Sequence, residues 1–242
     1  MGTEAKTAIV TGASQGLGAG IATAFLDRGY RVVASSRHVS TSGAFSPADN
    51  LALVDGDIAD PQTAKKIAEA AIGRFGSIDA LVNNAGIFFT KRFTDYTAED
   101  FRSLVSTNLE GFLYLTQLAI KQMVSQKTGG SVVTITAALV DNPIAGMTAA
   151  VPMITKGGLN AITYHLAMEY AREGIRVNAV APGVVATPLH KNTPADVMKT
   201  LSPMGRVSTV KEIADAVLYL TEAETVTGEV LHVDGGAHRG HW

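Results

Sequence analysis

Three glycines near the start of the chain have the spacing of a phosphate-binding turn. Gly12, Gly16 and Gly18 stand between a short apolar run and a helical pattern, in the segment TGASQGLG. Because glycine has no side chain, the backbone can turn tightly there and approach a pyrophosphate at the N-terminus of the helix. The segment therefore predicts a dinucleotide site.

The end of the second apolar run carries the residues that would choose between dinucleotides. An acidic residue there binds the adenosine ribose hydroxyls, whereas a nearby arginine accommodates a 2′-phosphate. Ser36 stands at the acidic position, and Arg37 follows it. Since guanidinium and phosphate form a strong bidentate pair, we predict NADP(H) as the cofactor, with NAD(H) less favoured. The alternative is that Arg37 is only a solvated charge at the end of a strand.

Two further motifs follow in order along the chain, NNAG at 83–86 and PGVVAT at 182–187. Together with TGASQGLG at 11–18, they resemble the nicotinamide-dependent short-chain dehydrogenases/reductases, and among these the 3-oxoacyl-ACP-reductase-like members. The resemblance covers nearly the entire chain. It implies a Rossmann-type fold, a bound nicotinamide dinucleotide and hydride transfer to or from a small-molecule substrate.

The resemblance also implies where the cofactor is held. Asp57 and Ile58 would lie beside the adenine, although Asp57 equally suits a turn. The main chain of Val185 and the hydroxyl of Thr187 would hold the nicotinamide carboxamide. The complete predicted set is Gly12, Ser14, Gln15, Gly16, Leu17, Gly18, Ser36, Arg37, Asp57, Ile58, Asn84, Ala85, Gly86, Lys156, Pro182, Gly183, Val185 and Thr187.

Hydride transfer to a carbonyl creates an alkoxide, which needs hydrogen-bond donors and an acid. By the resemblance, the family supplies these with a serine, a tyrosine, a lysine and an asparagine. Lys156 and Asn108 match the last two and are the predicted catalytic residues. Ala137 stands at the serine position, and a different gap placement gives Ala138 or Leu139. None of the three is a serine, so we expect this donor to be missing.

The tyrosine position, four residues before Lys156, holds Pro152. No tyrosine occurs between Tyr114 and Tyr164, so the replacement does not depend on the alignment. Proline is favoured in the first turn of a helix, where its missing N–H would be unpaired anyway, so Pro152 suits the start of the helix that carries Lys156. At a spacing of four, both residues share a helix face, which predicts that the proline ring borders the reaction space.

Three sources could then supply the proton. Lys156 is itself an acid, and the pKa of a lysine falls readily in an apolar pocket. Thr136 or Thr148 could donate a hydrogen bond, although a threonine hydroxyl is a poor acid. His190 or Lys191, directly after PGVVAT, could enter when the substrate binds. The alternative for His190 is a solvated loop histidine, and we favour Lys156.

These residues must be positioned by a sheet, because short β-branched runs alternate with helical patterns. The runs lie at 7–10, 31–35, 51–54, 78–82, 131–136, 175–180 and 229–233. The helical patterns lie at 16–28, 61–74, 97–126, 153–172 and 210–221. Most of the runs are separated by enough chain for a crossover helix, which indicates an α/β fold. We predict a doubly wound parallel sheet of about seven strands with helices on both faces.

One domain covering 1–242 follows from the length and the 46% hydrophobic composition. The polar, turn-rich segment 38–50 is predicted to be a surface loop. The segment 188–207 is interrupted by prolines and a glycine, which favours a mobile flap. That flap and residues 138–151 are expected to line the substrate pocket.

The net charge of −2, without a basic run, predicts neither nucleic acid nor a membrane surface as a partner. The chain has no cysteine, and its apolar runs are far shorter than the ~20 residues that span a bilayer, so we expect a cytoplasmic protein.

His238 and His241 lack a carboxylate or cysteine to complete a metal site, and we predict no metal. The resemblance implies a homotetramer, or a homodimer.

The sequence thus predicts an oxidoreductase that moves a hydride between NADP(H) and a small or medium-sized apolar carbonyl, imine or alcohol. The alternative is a catalytically silent NADP(H)-binding sensor or structural subunit. By the resemblance, the lysine also binds the nicotinamide ribose and the asparagine shapes a helix, so either residue could persist in a protein without turnover.

Overall fold

The computed structural model describes residues 5–188 and 194–240, and its centre is a parallel β-sheet. The strands are β1 (Thr7–Thr11), β2 (Arg31–Ser36), β3 (Leu51–Asp55), β4 (Ala80–Asn83), β5 (Gly130–Ile135), β6 (Ile175–Pro182) and β7 (Val230–Val233). Their order across the sheet is β3-β2-β1-β4-β5-β6-β7, and every neighbouring pair is parallel. The strand order reverses between β1 and β4, which is the point where doubly wound sheets bind their ligands.

Helices cover both faces of the sheet. In the described ranges they are α1 (Gly16–Asp27), α2 (Pro61–Phe75), α3 (Ala98–Val105), α4 (Gly111–Gln126), α5 (Ala150–Glu169), α6 (Ala195–Lys199) and α7 (Val210–Glu222). Buried side chains of α1 and α7 pack on one face of the sheet, and those of α2, α4 and α5 pack on the other. The predicted fold class is therefore confirmed.

Strand β1 shows how the sequence specifies two buried faces. All five of its residues are buried. Ala8 and Val10 belong to the cluster with α1 and α7, whereas Ile9 belongs to the cluster with α2 and α4. Successive side chains of a strand point to opposite faces, so a continuous apolar run fits a strand that is covered on both sides.

Two predicted helices differ from the structure. The helical pattern at 97–126 is interrupted at Ser106–Glu110, where a π-helical turn joins α3 to α4. Helix α5 covers Ala150–Glu169 instead of 153–172, because the chain then forms a short 3₁₀ turn that ends at Gly174. Gly174 has a φ of +71°, a left-handed conformation that suits glycine and prevents the helix from continuing.

Two of the connecting segments carry predictions from the sequence. Residues 38–50 contain turns and bends without a strand or helix, as expected for the predicted loop. Of the predicted flap, residues 189–193 lie outside the described residues, and the remainder contains the short helix α6. Within the described ranges, no helix combines the length and the apolar character needed to cross a lipid bilayer.

Candidate functional site

The glycine turn lies at the carboxyl end of β1, directly before α1. Gly12 and Gly16 have positive φ values of +66° and +56°, which glycine adopts without strain. An ideal Cβ on Gly12 would lie 2.8 Å from Asn84 Nδ2 and 2.9 Å from Ala85 Cα. Gly18 packs so closely on the main chain of Gly12 that no Cβ fits between them. The turn therefore forms a cradle of bare backbone at the N-terminus of a helix, which suits a pyrophosphate.

The NNAG segment is fastened to this turn through one threonine. The hydroxyl of Thr11 accepts hydrogen bonds from the main-chain N–H groups of Asn84 and Ala85, at 3.1 and 3.0 Å. The side-chain Nδ2 of Asn84 donates to the main-chain oxygen of Thr11 at 2.9 Å. Asn84 thus has a structural task, because its amide holds the ends of β1 and β4 in a fixed relation.

The PGVVAT segment approaches the glycine turn from the other side. An ideal Cβ on Gly16 would lie 3.7 Å from the Cβ of Thr187, so the two segments are in contact. Main-chain hydrogen bonds of 3.0 Å join Val184 and Ala186 to Ser208, just before α7. Gly183 packs tightly on Asp234, beyond β7. The segment is therefore held from two sides and faces the glycine cradle.

A cleft of about 380 Å³ lies between these segments. The predicted cofactor residues that line it are Gly12, Gln15, Gly16, Leu17, Asn84, Gly86, Lys156, Pro182, Gly183, Val185 and Thr187. The predicted cofactor residues that do not line it are Ser14, Gly18, Ser36, Arg37, Asp57, Ile58 and Ala85. The structure thus brings together the three motifs that lie far apart in the sequence.

The structure gives Asp57 and Ile58 other contacts. The carboxylate of Asp57 accepts a hydrogen bond from the main-chain N–H of Ala59 at 3.0 Å, which is the turn that the alternative interpretation describes. The side chain of Ile58 packs against Gly111 at the start of α4, where an ideal Cβ would lie 2.8 Å from it. Contact of either residue with a cofactor stays a prediction.

Lys156, on the second turn of α5, is the only ionisable side chain that lines the cleft among the residues the structure describes. Its Nζ donates a hydrogen bond to the main-chain oxygen of Ile135, at the end of β5, over 2.7 Å. Burial lowers the pKa of Lys156 from 10.5 to about 8, because the charged ammonium loses its hydration. Lys156 can therefore hold or release a proton near neutral pH.

Asn108 lies in the π-helical turn and is buried beneath the cleft without lining it. Its side chain accepts from the N–H of Ile87 at 2.8 Å and donates to the oxygen of the same residue at 3.1 Å. It also donates to the hydroxyl of Thr155, next to Lys156, at 3.0 Å. The amide thus joins the loop after β4 to helix α5. These contacts indicate a positioning residue.

We predict that Asn108→Ala lowers the free energy of unfolding by about 1–3 kcal/mol, because the half-buried main-chain groups of Ile87 and the buried hydroxyl of Thr155 lose a hydrogen-bond partner. Urea denaturation of the cofactor-free protein measures this effect. Ser106→Ala, in the same turn, removes only a hydrogen bond to Ser103 in the preceding helix and should change the stability by less than about 0.5 kcal/mol. Equal stability of Asn108→Ala and the native protein would contradict the positioning role.

A family model described as enoyl-(acyl carrier protein) reductase matches residues 12–238. The chain belongs to the short-chain dehydrogenase/reductase family. It is 36% identical to an L-rhamnose 1-dehydrogenase (NAD(P)(+)) of Azotobacter vinelandii, over 96% of each chain. The ligand-free aldohexose dehydrogenase of Thermoplasma acidophilum superposes with a TM-score of 0.88 at 30% identity, covering 98% of this chain and 96% of the other. The 3-ketoacyl-(acyl-carrier-protein) reductase of Brucella melitensis, complexed with NADH, gives a TM-score of 0.91 at 30% identity, covering 97% and 99%.

Membership of the short-chain dehydrogenase/reductase family makes the protein an oxidoreductase, since its relatives are named dehydrogenases and reductases. Relatives in the family are named for NAD(P)(+) or were crystallised with nicotinamide dinucleotides. The bare backbone turn at Gly12 and Gly18, where neighbouring protein atoms leave no room for a Cβ, precedes a helix N-terminus and fits such a ligand. The predicted class of cofactor is therefore supported by the geometry of this chain.

The three candidate positions that the resemblance gives for a serine hold apolar residues. Ala137, Ala138 and Leu139 all line the cleft, so the choice of alignment does not change the chemistry there. Thr136 also lines the cleft, and its hydroxyl donates to the main-chain oxygen of Val180 at 3.3 Å. Thr148, in contrast, is exposed and does not line the cleft, so it is not the donor that the sequence left open.

Pro152 is buried in the first turn of α5, as its helix preference predicts. Its main-chain oxygen accepts a hydrogen bond from the hydroxyl of Thr155 at 2.8 Å. The prediction that its ring borders the reaction space is wrong, because Pro152 does not line the cleft. The ring faces the interior of this family member, one turn before Lys156. The other candidate donors, His190 and Lys191, lie outside the described residues.

Part of the cleft wall consists of residues that the sequence motifs did not predict. Ile87 and Phe88, directly after NNAG, line the cleft, and so does Ala237 from the C-terminal segment. The position of Ile87 and Phe88 after a strand end was a usable signal, because such loops meet at the carboxyl edge of a parallel sheet. The contribution of Ala237 had no local signal, since it depends on how the C-terminal segment folds back.

Two carboxylate–imidazole pairs hold the C-terminal segment around His232 and His238 in place. Asp234 pairs with His238 and Asp141 pairs with His232, both at 2.8 Å. The two imidazole rings stack with their centroids 3.8 Å apart. A carboxylate therefore lies beside each of the two imidazoles. In the described ranges, these groups do not assemble into a set of three or more metal ligands, and His241 lies outside those ranges.

Proposed function

We propose that this oxidoreductase uses NADP(H) and reduces a carbonyl or imine, or oxidises the corresponding alcohol, with Lys156 as its proton donor. The observation that carries the proposal is the composition of the cleft. Among residues 5–188 and 194–240, Lys156 is the one lining residue that can release a proton near neutral pH. Aliphatic residues occupy the positions where the family pattern has hydroxyl groups.

The ammonium of Lys156 suits the role of an acid for three reasons. First, a catalytic acid works best when its pKa lies near the working pH, and the pKa of Lys156 is lowered to about 8. Second, only one of its three N–H groups is used by the main-chain oxygen of Ile135, which leaves two for a substrate oxygen and a cofactor hydroxyl. Third, a charge in a poorly hydrated cleft stabilises a developing oxyanion more strongly than it would in water.

The surrounding residues keep the ammonium in place. Ile135 anchors Nζ from the sheet, and Asn108 fixes the loop of Ile87 against the helix that carries Lys156. When bound, the nicotinamide dinucleotide supplies or accepts the hydride. Lys156 then gives a proton to the substrate oxygen in reduction and takes it back in oxidation. Asn108 acts as a positioning residue in this proposal.

The test of the proposal is a turnover assay with the purified protein. We expect the protein to consume NADPH with some ketones, aldehydes or imines of a broad panel, followed as loss of absorbance. NADPH binding without any turnover across the panel would favour the alternative, a silent NADP(H)-binding sensor or structural subunit. Absence of binding to either nicotinamide dinucleotide would overturn both.

The preference for NADP(H) rests on Arg37, which is exposed directly beyond β2. The glycine turn touches the same strand end, because the N–H of Ala13 donates to the oxygen of Ser35 at 3.0 Å. An adenosine ribose bound along this edge would therefore reach Ser36 and Arg37. The guanidinium offers a fork of donors to a 2′-phosphate, and Ser36 carries no charge that repels it.

We predict that Arg37→Ala raises the Kd for NADPH by about 10–100-fold, since a hydrogen-bonded charge pair contributes about 1.5–3 kcal/mol. The Kd for NADH should change by less than about threefold, because NADH has no 2′-phosphate. Titration of both dinucleotides by fluorescence measures the two ratios on one variant. Equal weakening of NADPH and NADH would show that Arg37 does not bind the phosphate.

We also propose that the protein is a homotetramer, or a homodimer, assembled through α4 and α5. Both helices carry large apolar side chains that are exposed in the single chain. On α4 these are Leu113 and Val124, and on α5 they are Ile154, Tyr164 and Met168. Exposed apolar side chains of this size are compatible with burial against another subunit. Light scattering coupled to gel filtration gives the mass, and a monomer would contradict the proposal.

A further inference from the structure

The substrate end of the cleft is lined by hydrocarbon and thioether side chains. They come from the loop after β4, from the segment between β5 and α5, and from the region of α6. The residues are Ile87, Phe88, Leu139, Ile144, Met147 and Leu201. A surface of this kind gains free energy by covering apolar parts of a substrate, at roughly 25 cal/mol for each Å² removed from water.

One side-chain acceptor interrupts this surface. Asn142 lines the cleft, and its Nδ2 donates to the main-chain oxygen of Ala237. A main-chain carbonyl oxygen can only accept, so the bond to Ala237 identifies the donor end of the amide as Nδ2. The other end, Oδ1, is a hydrogen-bond acceptor. Within the described ranges, Asn142 Oδ1 has no hydrogen-bond partner. Thr136 donates its hydroxyl proton to Val180 and keeps acceptor capacity on its oxygen, but it is only 4% exposed, whereas Asn142 is half-buried.

The amide is held in place by its neighbours. Asp141 pairs with His232 at 2.8 Å, and the imidazole of His232 stacks on that of His238. Asp234 in turn accepts from the N–H and the ring of His238, both at 2.8 Å. These contacts clamp the loop of Asn142 and the segment of Ala237 to each other. A polar group fixed in this way can discriminate between substrates, because it need not be ordered upon binding.

We propose that Asn142 is a specificity-determining residue, and that the cleft takes an apolar carbonyl compound or alcohol that carries one hydrogen-bond donor for its Oδ1. This rests on the proposed function, and it names the substrate class of the same site. In the part of the cleft that the structure describes, sugars and other polyols are disfavoured. Each hydroxyl buried without a partner costs about 1–3 kcal/mol, and the side chains of Leu139, Ile144 and Met147 donate no hydrogen bond to such a hydroxyl.

The exclusion separates this chain from proteins to which it is similar. Two of those proteins are named for L-rhamnose and aldohexose. Sites that bind such rings need hydrogen-bonding side chains for several hydroxyls, and a site built in that way rejects analogues that lack them. In this chain Leu139, Ile144 and Met147 line the cleft with apolar side chains, which offer a polyol no hydrogen-bond donor.

The experiment compares four six-membered rings with NADPH or NADP⁺. Cyclohexanone is the apolar reference for reduction, and 4-hydroxycyclohexanone adds one donor. Cyclohexanol is the apolar reference for oxidation, and L-rhamnose, tested as an alcohol donor, carries several hydroxyls. We expect kcat/KM to be about 5–10-fold higher for 4-hydroxycyclohexanone than for cyclohexanone, and at least about 100-fold lower for L-rhamnose than for cyclohexanol. Asn142→Leu should remove the advantage of the hydroxyl, so that kcat/KM for the two ketones differs by less than about twofold in this variant.

Binding of the same compounds to the NADP⁺ complex, measured by calorimetry, keeps the inference separate from catalysis. If the protein binds the rings in the expected order but turns over none, the proposed function fails and the inference stands. If L-rhamnose binds as well as the apolar rings, the inference fails; if any of these rings also turns over, the proposed function stands. An unchanged preference for the hydroxyl in Asn142→Leu would also overturn the role of Asn142.

Discussion

Lys156→Ala is expected to lower kcat/KM for NADPH-dependent reduction by at least about 100-fold, which is the lower bound for loss of a positioned acid. The reason is the composition of the cleft, where no other described residue has a proton to give near neutral pH. Stopped-flow measurement of hydride transfer, with any substrate that the panel identifies, separates the chemical step from product release. Lys121→Ala, an exposed lysine of α4, is the control and should leave the rate unchanged.

Lys156→Arg separates the positive charge of Lys156 from its ability to release a proton. Arginine keeps a positive charge and can still donate hydrogen bonds, but it does not lose its proton at accessible pH. We expect the arginine variant to bind NADPH and to reduce substrate as slowly as the alanine variant. Native turnover in the arginine variant would show that the charge alone suffices. If Lys156→Ala keeps native turnover whereas His190→Ala abolishes it, the proton comes from the flap.

The pH dependence follows from the lowered pKa of Lys156. Reduction needs the protonated ammonium, so kcat/KM should be constant below about pH 8 and fall as the pH rises through that value. Oxidation needs the neutral amine, so its kcat/KM should rise through the same value. A profile without a transition near pH 8, in either direction of the reaction, would contradict the role of Lys156 as acid and base.

Lys156 also makes the free energy of unfolding depend on pH, in the opposite direction from a lysine whose pKa is raised by an acidic partner. Burial disfavours the ammonium in the folded protein, where the pKa is about 8, relative to the unfolded chain, where it is 10.5. Between these values the unfolded chain binds more protons, so the free energy of unfolding contributed by this group rises with pH. The contribution is fully present above pH 10.5 and is lost as the pH falls through about 8. Comparison with Lys156→Met across this window isolates it.

The fold and the dinucleotide cradle could be predicted because their signals are local. Each strand of the sheet lies within two residues of its predicted run, since the β-branched runs are short and bounded by turns. The role of the glycines follows from their position between a strand and a helix. Asp60, directly before Pro61 in the sequence, caps α2, with its carboxylate accepting from the N–H of Gln62 at 2.9 Å.

The substrate end could be predicted only in outline. Residues 138–151 and the flap were expected to line it, and Leu139, Asn142 and Leu201 do so. A spacing of four indicates that Pro152 and Lys156 share a helix face, but it does not show what that face contacts in the first turn of the helix. The prediction that Pro152 lies at the cleft was wrong for this reason. The stacked histidines required knowledge of how the C-terminal segment meets the loop after β5, and that contact joins residues about ninety positions apart.

Gly18→Ala is expected to reduce NADPH affinity by about 100-fold or more and to destabilise the fold by about 1–3 kcal/mol. A Cβ at this position would overlap the main-chain oxygen of Gly12 and the amide of Asn84. Neither group can retreat cheaply, because Asn84 is bonded to the main chain of Thr11 and Gly12 is held at a positive φ. Overpacking against a backbone that cannot yield has a cost of this size.

The effect on binding should exceed the effect on stability. Relief of the overlap requires the turn to move away from the start of α1, and the phosphate site consists of main-chain N–H groups whose directions depend on that turn. Gly73→Ala, in α2, is the matched control, because a Cβ there meets no atom within 4 Å. Alanine is the better helix former by about 1 kcal/mol, so Gly73→Ala should stabilise the protein and leave the Kd for NADPH unchanged. If Gly18→Ala behaved like this control, the cradle would not be the dinucleotide site.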